Sequence, residues 1–424
     1  MAGTSRPHTL FLQYHTLTSY PAALLNRDDQ GFAKRLPFGG ATRTRVSSQC
    51  LKRHWRAFDG EHSLASVGGD RESVTRSVRS RETFERLVAA PLLKEGVAKD
   101  LAHAATEAVK EQVLGKSKKT KKTKKTKQPA NDDAQEAKAG DDSGATLGTS
   151  QVTVLGRPEI EFFLSEARAI ASDAGEAKQV AKIAKKRFSN DWGKNLLGLK
   201  RAAGLDAALF GRMVTSSKLA RADAAVHVAH SFTVHAEHSE TDYFSAMDDL
   251  SSGSDEGEQL GSGHIGNAEL TSGLFYGYLV VDVPQLVSNL EGCEQSRWLD
   301  ADRTLAAEVV CRLAQLVTRV SPGAKLGSTA PYAVAHLLLA EAGQSQPRTL
   351  ANAFLKPVPP RPDLLANTYS ALSRYVSDVD GVYALGNRRA IAALAATKEL
   401  AALAPPGSLD SAAKFAARAV LEAP

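Results

Sequence analysis

Three cysteines in 424 residues, Cys50, Cys293 and Cys311, lie far apart and form no C-x-x-C pair. That spacing gives no disulfide framework and no thiolate zinc site, and it fits a reducing compartment. No apolar run approaches bilayer-spanning length, and the N-terminus lacks the basic, apolar and cleavage regions of a signal peptide. A soluble, cytoplasmic, non-membrane protein is the expectation. The G-x-x-x-x-G-K-[ST] phosphate loop and the G-x-S-x-G nucleophile elbow are both missing, so neither nucleotide hydrolysis nor that form of acyl transfer finds support. With 43% hydrophobic residues the chain can bury a substantial core, as two domains or as one large domain with insertions.

Acidic residues are locally scarce as well. Between Gly31 and Phe58 there are seven Lys or Arg residues and not one Asp or Glu, whereas the charges elsewhere are near balance. The formal net charge of +6 does not report this feature. Eight lysines fall in KSKKTKKTKKTK at Lys116 to Lys127, and without them the chain would carry −2. That run and the Ala/Asp/Gly-rich stretch after it cannot offset their chain entropy by burial, so residues 115 to 150 read as a disordered surface insertion. A solvated linker is the plain reading of it, and non-specific attraction to nucleic acid is the second.

The apolar, β-branched segment His8 to Thr18 predicts an early strand. Helical periodicity follows at Glu72 to Val88, Val97 to Val113, Glu159 to Ser172 and Glu176 to Phe188. Alternation then predicts one strand over Ala224 to His235, and Gly273 to Val283 predicts another. The 36 or so residues between those two strands are too long and too polar for a hairpin turn, and should project. A helix over Asp302 to Val320, a strand over Tyr332 to Leu339 and two or three C-terminal helices complete an α+β pattern with a largely antiparallel sheet.

VSSQCLKRHWR, residues 46 to 56, concentrates the basic excess. With Ser48 as N-cap, Gln49, Lys52, Arg53 and Arg56 share one helical face, while Leu51, Trp55 and Phe58 share the other. Cations on one face repel one another, so the pattern costs stability unless a polyanion lies nearby. Gly39 and Gly40 let backbone approach a ligand, and Arg43 and Arg45 add charge. A phosphate backbone is the natural counterpart, and an ordinary solvated face is the alternative.

LNRDD (Leu25 to Asp29), FGG (Phe38 to Gly40), R-x-R-V-S-S-Q (Arg43 to Gln49) and LKR-x-x-R (Leu51 to Arg56) resemble the N-terminal signature of the CasC family. That family supplies the backbone subunit of the type I-E CRISPR Cascade complex. Further matches follow in order: LDAALFGRM (Leu205 to Met213), ADAAVHVAHSFTVH (Ala222 to His235), DYFSAMDDL (Asp242 to Leu250), GHIG (Gly263 to Gly266) and TLANAF-x-KPV (Thr349 to Val358).

The resemblance implies a modified RRM-like, ferredoxin-like antiparallel palm at residues 1–60, 201–239 and 273–424. It implies helical fingers at 61–200 and a projecting thumb loop at 240–272. Copies would form a helical filament along CRISPR RNA beside other Cascade subunits, and would display guide bases to target DNA. Carried over, the RNA contacts are Arg27, Lys34, Ser47, Gln49, Lys52, Arg53 and Arg56, with Met213 and Phe244 flanking a displaced base. Such a protein is no enzyme and needs no metal or cofactor. The Lys-rich insertion has no counterpart in the family pattern. PGAKLGSTAPY (Pro322 to Tyr332) replaces a polar family segment, with Lys325 keeping its basic contact.

Three rivals stand beside that reading. Asp28, Asp29, Asp242, Asp248 and Asp249 could hold Mg²⁺ in an RNA-cleaving, type III-like backbone subunit; pairing with Arg27 and turn hydrogen bonds are their structural roles. His227, His230, His235 and His238 suggest zinc, but on a strand residues three apart face opposite ways. A solitary RRM protein would require an aromatic run on a central strand, which is missing.

Overall fold

The computed structural model describes residues 9–69, 77–115, 147–149, 151–188, 204–212, 222–247 and 262–423. Contacts divide the chain into two units. One comprises residues 1–67, 226–284 and 302–424, and the other comprises 68–225 and 285–301. No helix among the described residues is long and apolar enough to cross a membrane.

In the first unit, β1 (Phe11–Ala23) is the central strand. It runs antiparallel to β7 (Ser262–Asp282) on one side and to β8 (Leu337–Gly343) on the other. Beyond β8 lies β9 (Arg388–Ala393), edged by a parallel pairing with Pro406–Gly407. On the β7 side the sheet continues through β5 (Ser231–Thr233) and β3 (Ala41–Val46) to β2 (Arg35–Phe38). The short β4 (Val226–Val228) and β6 (Ser239–Met247) also pair with β7.

Strand alternation divides the buried residues between two layers. Tyr14, Thr16, Thr18, Gly277 and Leu279 line one face together with Leu51 and Trp55 of α1 (Ser48–Ala57) and Val317 of α2 (Thr304–Arg319). Tyr14 fixes this layer by donating its hydroxyl to the Val310 carbonyl at 2.8 Å. On the other face Leu17, Leu274, Tyr276, Leu337, Leu339 and Ile391 pack with Tyr369, Leu372 and Val376 of α3 (Leu364–Tyr383) and Leu400 of α4 (Lys398–Leu403). The helix α5 (Leu409–Leu421) packs on α2. The unit is thus a mixed α+β fold with a mostly antiparallel sheet.

Several elements differ from the pattern expected of them. The alternation over Ala224 to His235 is interrupted at Ala229–His230, giving two short strands, and Ala229 N–H donates to the Tyr278 carbonyl across the break. The strand expected at Tyr332 begins at Leu337, where pairing with Leu17 starts; Tyr332 and Val334 are exposed. The segment expected as a projecting loop is, at both ends, a two-stranded ribbon. Ser239 to Met247 pair with Thr271 to Ser262, so β7 starts eleven residues before Gly273. Polarity misled here because Glu240 to Phe244 are all exposed, so the β6 arm of the ribbon shows no alternation of burial. Residues 248–261 lie outside the described residues.

Phe84, Val88, Val109, Phe163, Ala167 and Ile170 contribute to the core of the second unit, built chiefly on helices Lys99–Leu114, Arg157–Ala174 and Ala177–Arg187. In place of one helix over Glu72 to Val88, Ser77–Ser80 is a strand paired with Thr153–Gly156, and a π-helical turn follows at Glu85–Ala89. Residues 70–76 and the Lys-rich stretch at 116–146 lie outside the described residues.

A polar network crosses the buried face of the first unit's sheet. Glu341, with its side chain fully buried, accepts from Arg348 at 2.6 and 3.0 Å and from Arg389 at 2.7 Å, and His15 Nε2 lies 3.2 Å away. His15 Nδ1 accepts from the Tyr276 hydroxyl at 2.8 Å, and that hydroxyl accepts from Leu350 N–H. Burial holds the His15 imidazole neutral, below its ordinary value of 6.5, against the pull of Glu341. Burial alone would raise the Glu341 carboxyl, but hydrogen bonds from His15 and Arg348 outweigh it and hold the group well below its ordinary 4.5. Both depressions have one sign. The unfolded chain binds more protons at acid pH, so stability falls below about pH 6.5 through His15 and falls further below about pH 4.5 through Glu341. Denaturant midpoints should therefore be flat near about pH 7.5, below the range in which the raised Cys50 thiol loses its contribution, and drop between about pH 6.5 and 5, with His15→Gln reducing that drop and the lowered His235 supplying the remainder. Equal midpoints for the wild-type chain at both ends of this range would contradict the assignment.

Candidate nucleic-acid interface

Among the seven cations between Gly31 and Phe58, Arg35, Arg43 and Arg45 make side-chain contacts that hold separate parts of the protein together. Arg43 is fully buried and donates to the carbonyls of Phe38, Thr233 and Phe354 at 3.3, 3.0 and 2.9 Å. It is a structural arginine, and not the additional surface charge its position in the basic run suggests. Arg45 donates to the Arg35 carbonyl at 3.1 Å and lies 3.3 Å from His230 Nδ1. Arg35 forms ion pairs with Glu237 and Glu269, so the acids missing from the basic segment arrive from distant sequence.

The other four are Lys34, Lys52, Arg53 and Arg56. Their platform, α1, is capped by Ser47, whose Oγ accepts from Cys50 N–H at 3.3 Å. Ser48, the residue expected as N-cap, is instead the first helical residue and is buried. Ser47 is itself buried, and its Oγ serves as the cap acceptor while its O–H remains a donor. Leu51 and Trp55 face the sheet; Gln49 and Arg53 are exposed, and Lys52 and Arg56 are half-buried. Arg53, Arg56, Lys34 and Arg27 have no carboxylate partner among the described residues. Burial pushes the Cys50 thiol up to about 11, with Arg53 and Lys34 pulling against it, a shift away from the reactive thiolate.

Hydrogen bonds tie the loop 25–34 to this helix. Asn26 Oδ1 accepts from Ser47 N–H at 2.9 Å, and the Asn26 carbonyl accepts from Lys34 N–H at 2.9 Å. Arg27 is exposed and bridges to Ala33. Asp28 Oδ1 accepts from Gln30 and Phe32 N–H at 3.0 and 2.9 Å, which commits that oxygen to its own turn. Asn26 carried a signal in the LNRDD motif but had no assigned role. Gly39 and Gly40 both have positive φ, as a two-residue β2–β3 hairpin needs. A Cβ on Gly39 would lie 1.5 Å from the Leu355 carbonyl oxygen, so the close approach it permits is to the protein's own backbone.

Phe244 stands 41% exposed on the ribbon, directly opposite Gly266 of the GHIG motif. Its ring lies over the space that a Gly266 Cβ would fill, and Lys325 Nζ lies 5.6 Å from the ring centroid. Ala324 N–H donates to the Leu24 carbonyl at 2.9 Å, bringing Lys325 beside the 25–34 loop. Met213 lies outside the described residues, as do Asp248 and Asp249. Its neighbour Arg212 is buried and pairs at 2.6 Å with Glu159, which also accepts from Gly156 N–H.

Of the four candidate histidines, His235 and His238 lie side by side, with ring centroids 5.2 Å apart. His235 accepts from Leu274 N–H through Nε2 and donates from Nδ1 to the Ala236 carbonyl, using both nitrogens. Burial lowers its pKa. Among the described residues no three His, Cys, Asp or Glu side chains are placed to hold a metal ion.

No curated protein matches the sequence. Among the solved chains that this chain resembles, two match over 96% of it. One, from a "CRISPR RNA-guided surveillance complex, pre-nicking", is 25% identical, is covered over 100% of its length and gives a TM-score of 0.71. Another, from a "CRISPR RNA-guided surveillance complex", is 26% identical, is covered over 99% and gives 0.64. The family model described as "CT1975-like protein" matches residues 12–415. By that match over nearly its whole length, the chain belongs to the CT1975-like protein family.

Proposed function

We propose that this protein is a non-catalytic backbone subunit of a CRISPR surveillance complex, of the type I-E Cascade class and CasC kind, and that it polymerises along CRISPR RNA. The observation that carries the reading is the division of the basic segment. Arg35, Arg43 and Arg45 hold the protein together, while Lys34, Lys52, Arg53 and Arg56 sit on one loop and the adjoining helix. Single-stranded phosphate is their counterpart, with Arg27 and Gln49 adding to the grip. Membership in the family and likeness to chains of surveillance complexes support CRISPR RNA and other complex subunits as partners.

In this reading the sheet unit is an RRM-like palm, the helical unit forms the fingers and the β6–β7 ribbon is the thumb. Phe244 and Met213 supply apolar surfaces against which a guide base is displaced without regard to its identity. The bases between thumbs pair with target DNA, so sequence is read by pairing and the protein reads only backbone. The same division of labour holds in another RNA-guided system. The commitment of one Asp28 oxygen to its own turn supports scaffold over nuclease. A cytoplasmic location fits these partners.

Replacing Lys52, Arg53 and Arg56 together by Ala should weaken guide binding and lower the slope of log K against log salt by about 0.7 per lost phosphate contact. Unchanged affinity and slope would remove the phosphate assignment. Phe244→Ala should leave that slope intact while erasing the periodic hyper-reactivity of displaced bases in chemical probing of the bound guide; a persistent pattern would clear Phe244 of the role. RNA paired to the guide should remain uncut in Mg²⁺. Regular cutting abolished by Asp249→Ala or Asp29→Ala would establish the nuclease instead.

A further inference from the structure

The two parts of the proposed interface, the backbone-gripping loop and the ribbon bearing Phe244, meet at one arginine. Arg35 Nε donates to Glu237, the residue two before β6 begins. Arg35 Nη2 donates to Glu269, which lies in β7 opposite Thr241 of β6. Glu269 accepts a second hydrogen bond from Ala33 N–H at 2.7 Å, and Ala33 bridges to Arg27. Glu237 N–H donates to the Thr42 carbonyl at 2.9 Å, which joins the same root to the β2–β3 hairpin. The carboxylates are largely buried, at 15% and 8% exposure, while the Arg35 side chain is 36% exposed.

This junction carries more connectivity than a surface ion pair requires. One planar guanidinium spans both arms of the ribbon, and one of the two carboxylates also holds the backbone of the loop carrying Arg27 and Lys34. We propose that Arg35 is a positioning residue that couples the guide-gripping loop to the root of the base-displacing ribbon, so that both hold one orientation along the RNA. This role rests on the guide-binding reading given above. Arg35 itself touches no phosphate. Its fork is what matters, because a lysine ammonium at this position keeps the charge but cannot present two fixed donors to two carboxylates.

Two measurements on the full chain test this. Without RNA, hydrogen exchange in Arg35→Gln should quicken together at the Ala33 and Lys34 amides and along Ser239 to Phe244, while β1 amides keep their protection. A loss of global stability would expose β1 as well. With a single-stranded guide, Arg35→Gln and Arg35→Lys should both bind roughly fivefold more weakly than wild type, at an unchanged salt slope. Full affinity in Arg35→Lys, or a reduced slope in Arg35→Gln, would make Arg35 a phosphate contact and overturn the positioning role. Unchanged exchange in the loop and ribbon would overturn it independently. A wild-type chain that binds no single-stranded RNA would instead overturn the guide-binding reading beneath it.

Discussion

Everything proposed for this protein hangs on the pairing of β7 with two different kinds of partner. Its C-terminal half, from about Gly273 to Asp282, lies against β1 in the middle of the sheet, with Leu274, Tyr276, Leu279 and Val281 buried. Its N-terminal half pairs with β6 and leaves the layered core. A single continuous strand carries the rigidity of the core into an exposed ribbon, and what holds Phe244 in place is that continuity. Glycine at 266 lets the Phe244 ring lie across the ribbon, and Gly277 leaves room for the Thr16 hydroxyl where the strand is buried. Backbone pairing supplies the order that side-chain burial cannot supply outside the core.

Charge is allocated with equal economy. A run of seven cations with no local acid would repel itself, and the fold reduces that cost by internalising part of it. Arg43 satisfies three carbonyls from three elements, and Arg35 takes its counter-ions from residues some two hundred positions away. The buried network around Glu341 follows the same rule with two arginines and a neutral histidine, each hydrogen-bonded so that a carboxylate can remain ionised out of water. Arg27, Lys34, Arg53 and Arg56, which have no carboxylate partner among the described residues, remain for a polyanion.

Much of this was legible in the residues. The two-faced character of α1 follows from the spacing of Leu51 and Trp55 against Gln49, Lys52, Arg53 and Arg56, and the structure buries the first pair alone among these. The α+β class followed from strands separated by long periodic helices. The cap was misplaced by one residue because Ser47 and Ser48 are chemically equivalent candidates, and only the hydrogen bond to Cys50 distinguishes them. The ribbon was hidden because alternation signals a half-buried strand, whereas β6, exposed on both sides from Ser239 to Phe244, carries none. The partners of Arg35 and Arg43 were illegible for a different reason. They are set by tertiary topology, and no local window contains both Arg35 and Glu237.

The central claim is that a sequence-blind grip on RNA phosphate organises this molecule. The nucleic acid that accompanies the protein when it is purified from cells expressing a CRISPR array, identified by sequencing, tests it most directly. The account predicts RNA of uniform length whose ends derive from the repeat and whose interior varies freely. Protein that carries no RNA from such cells, or that carries only an unselected cellular pool, would contradict it.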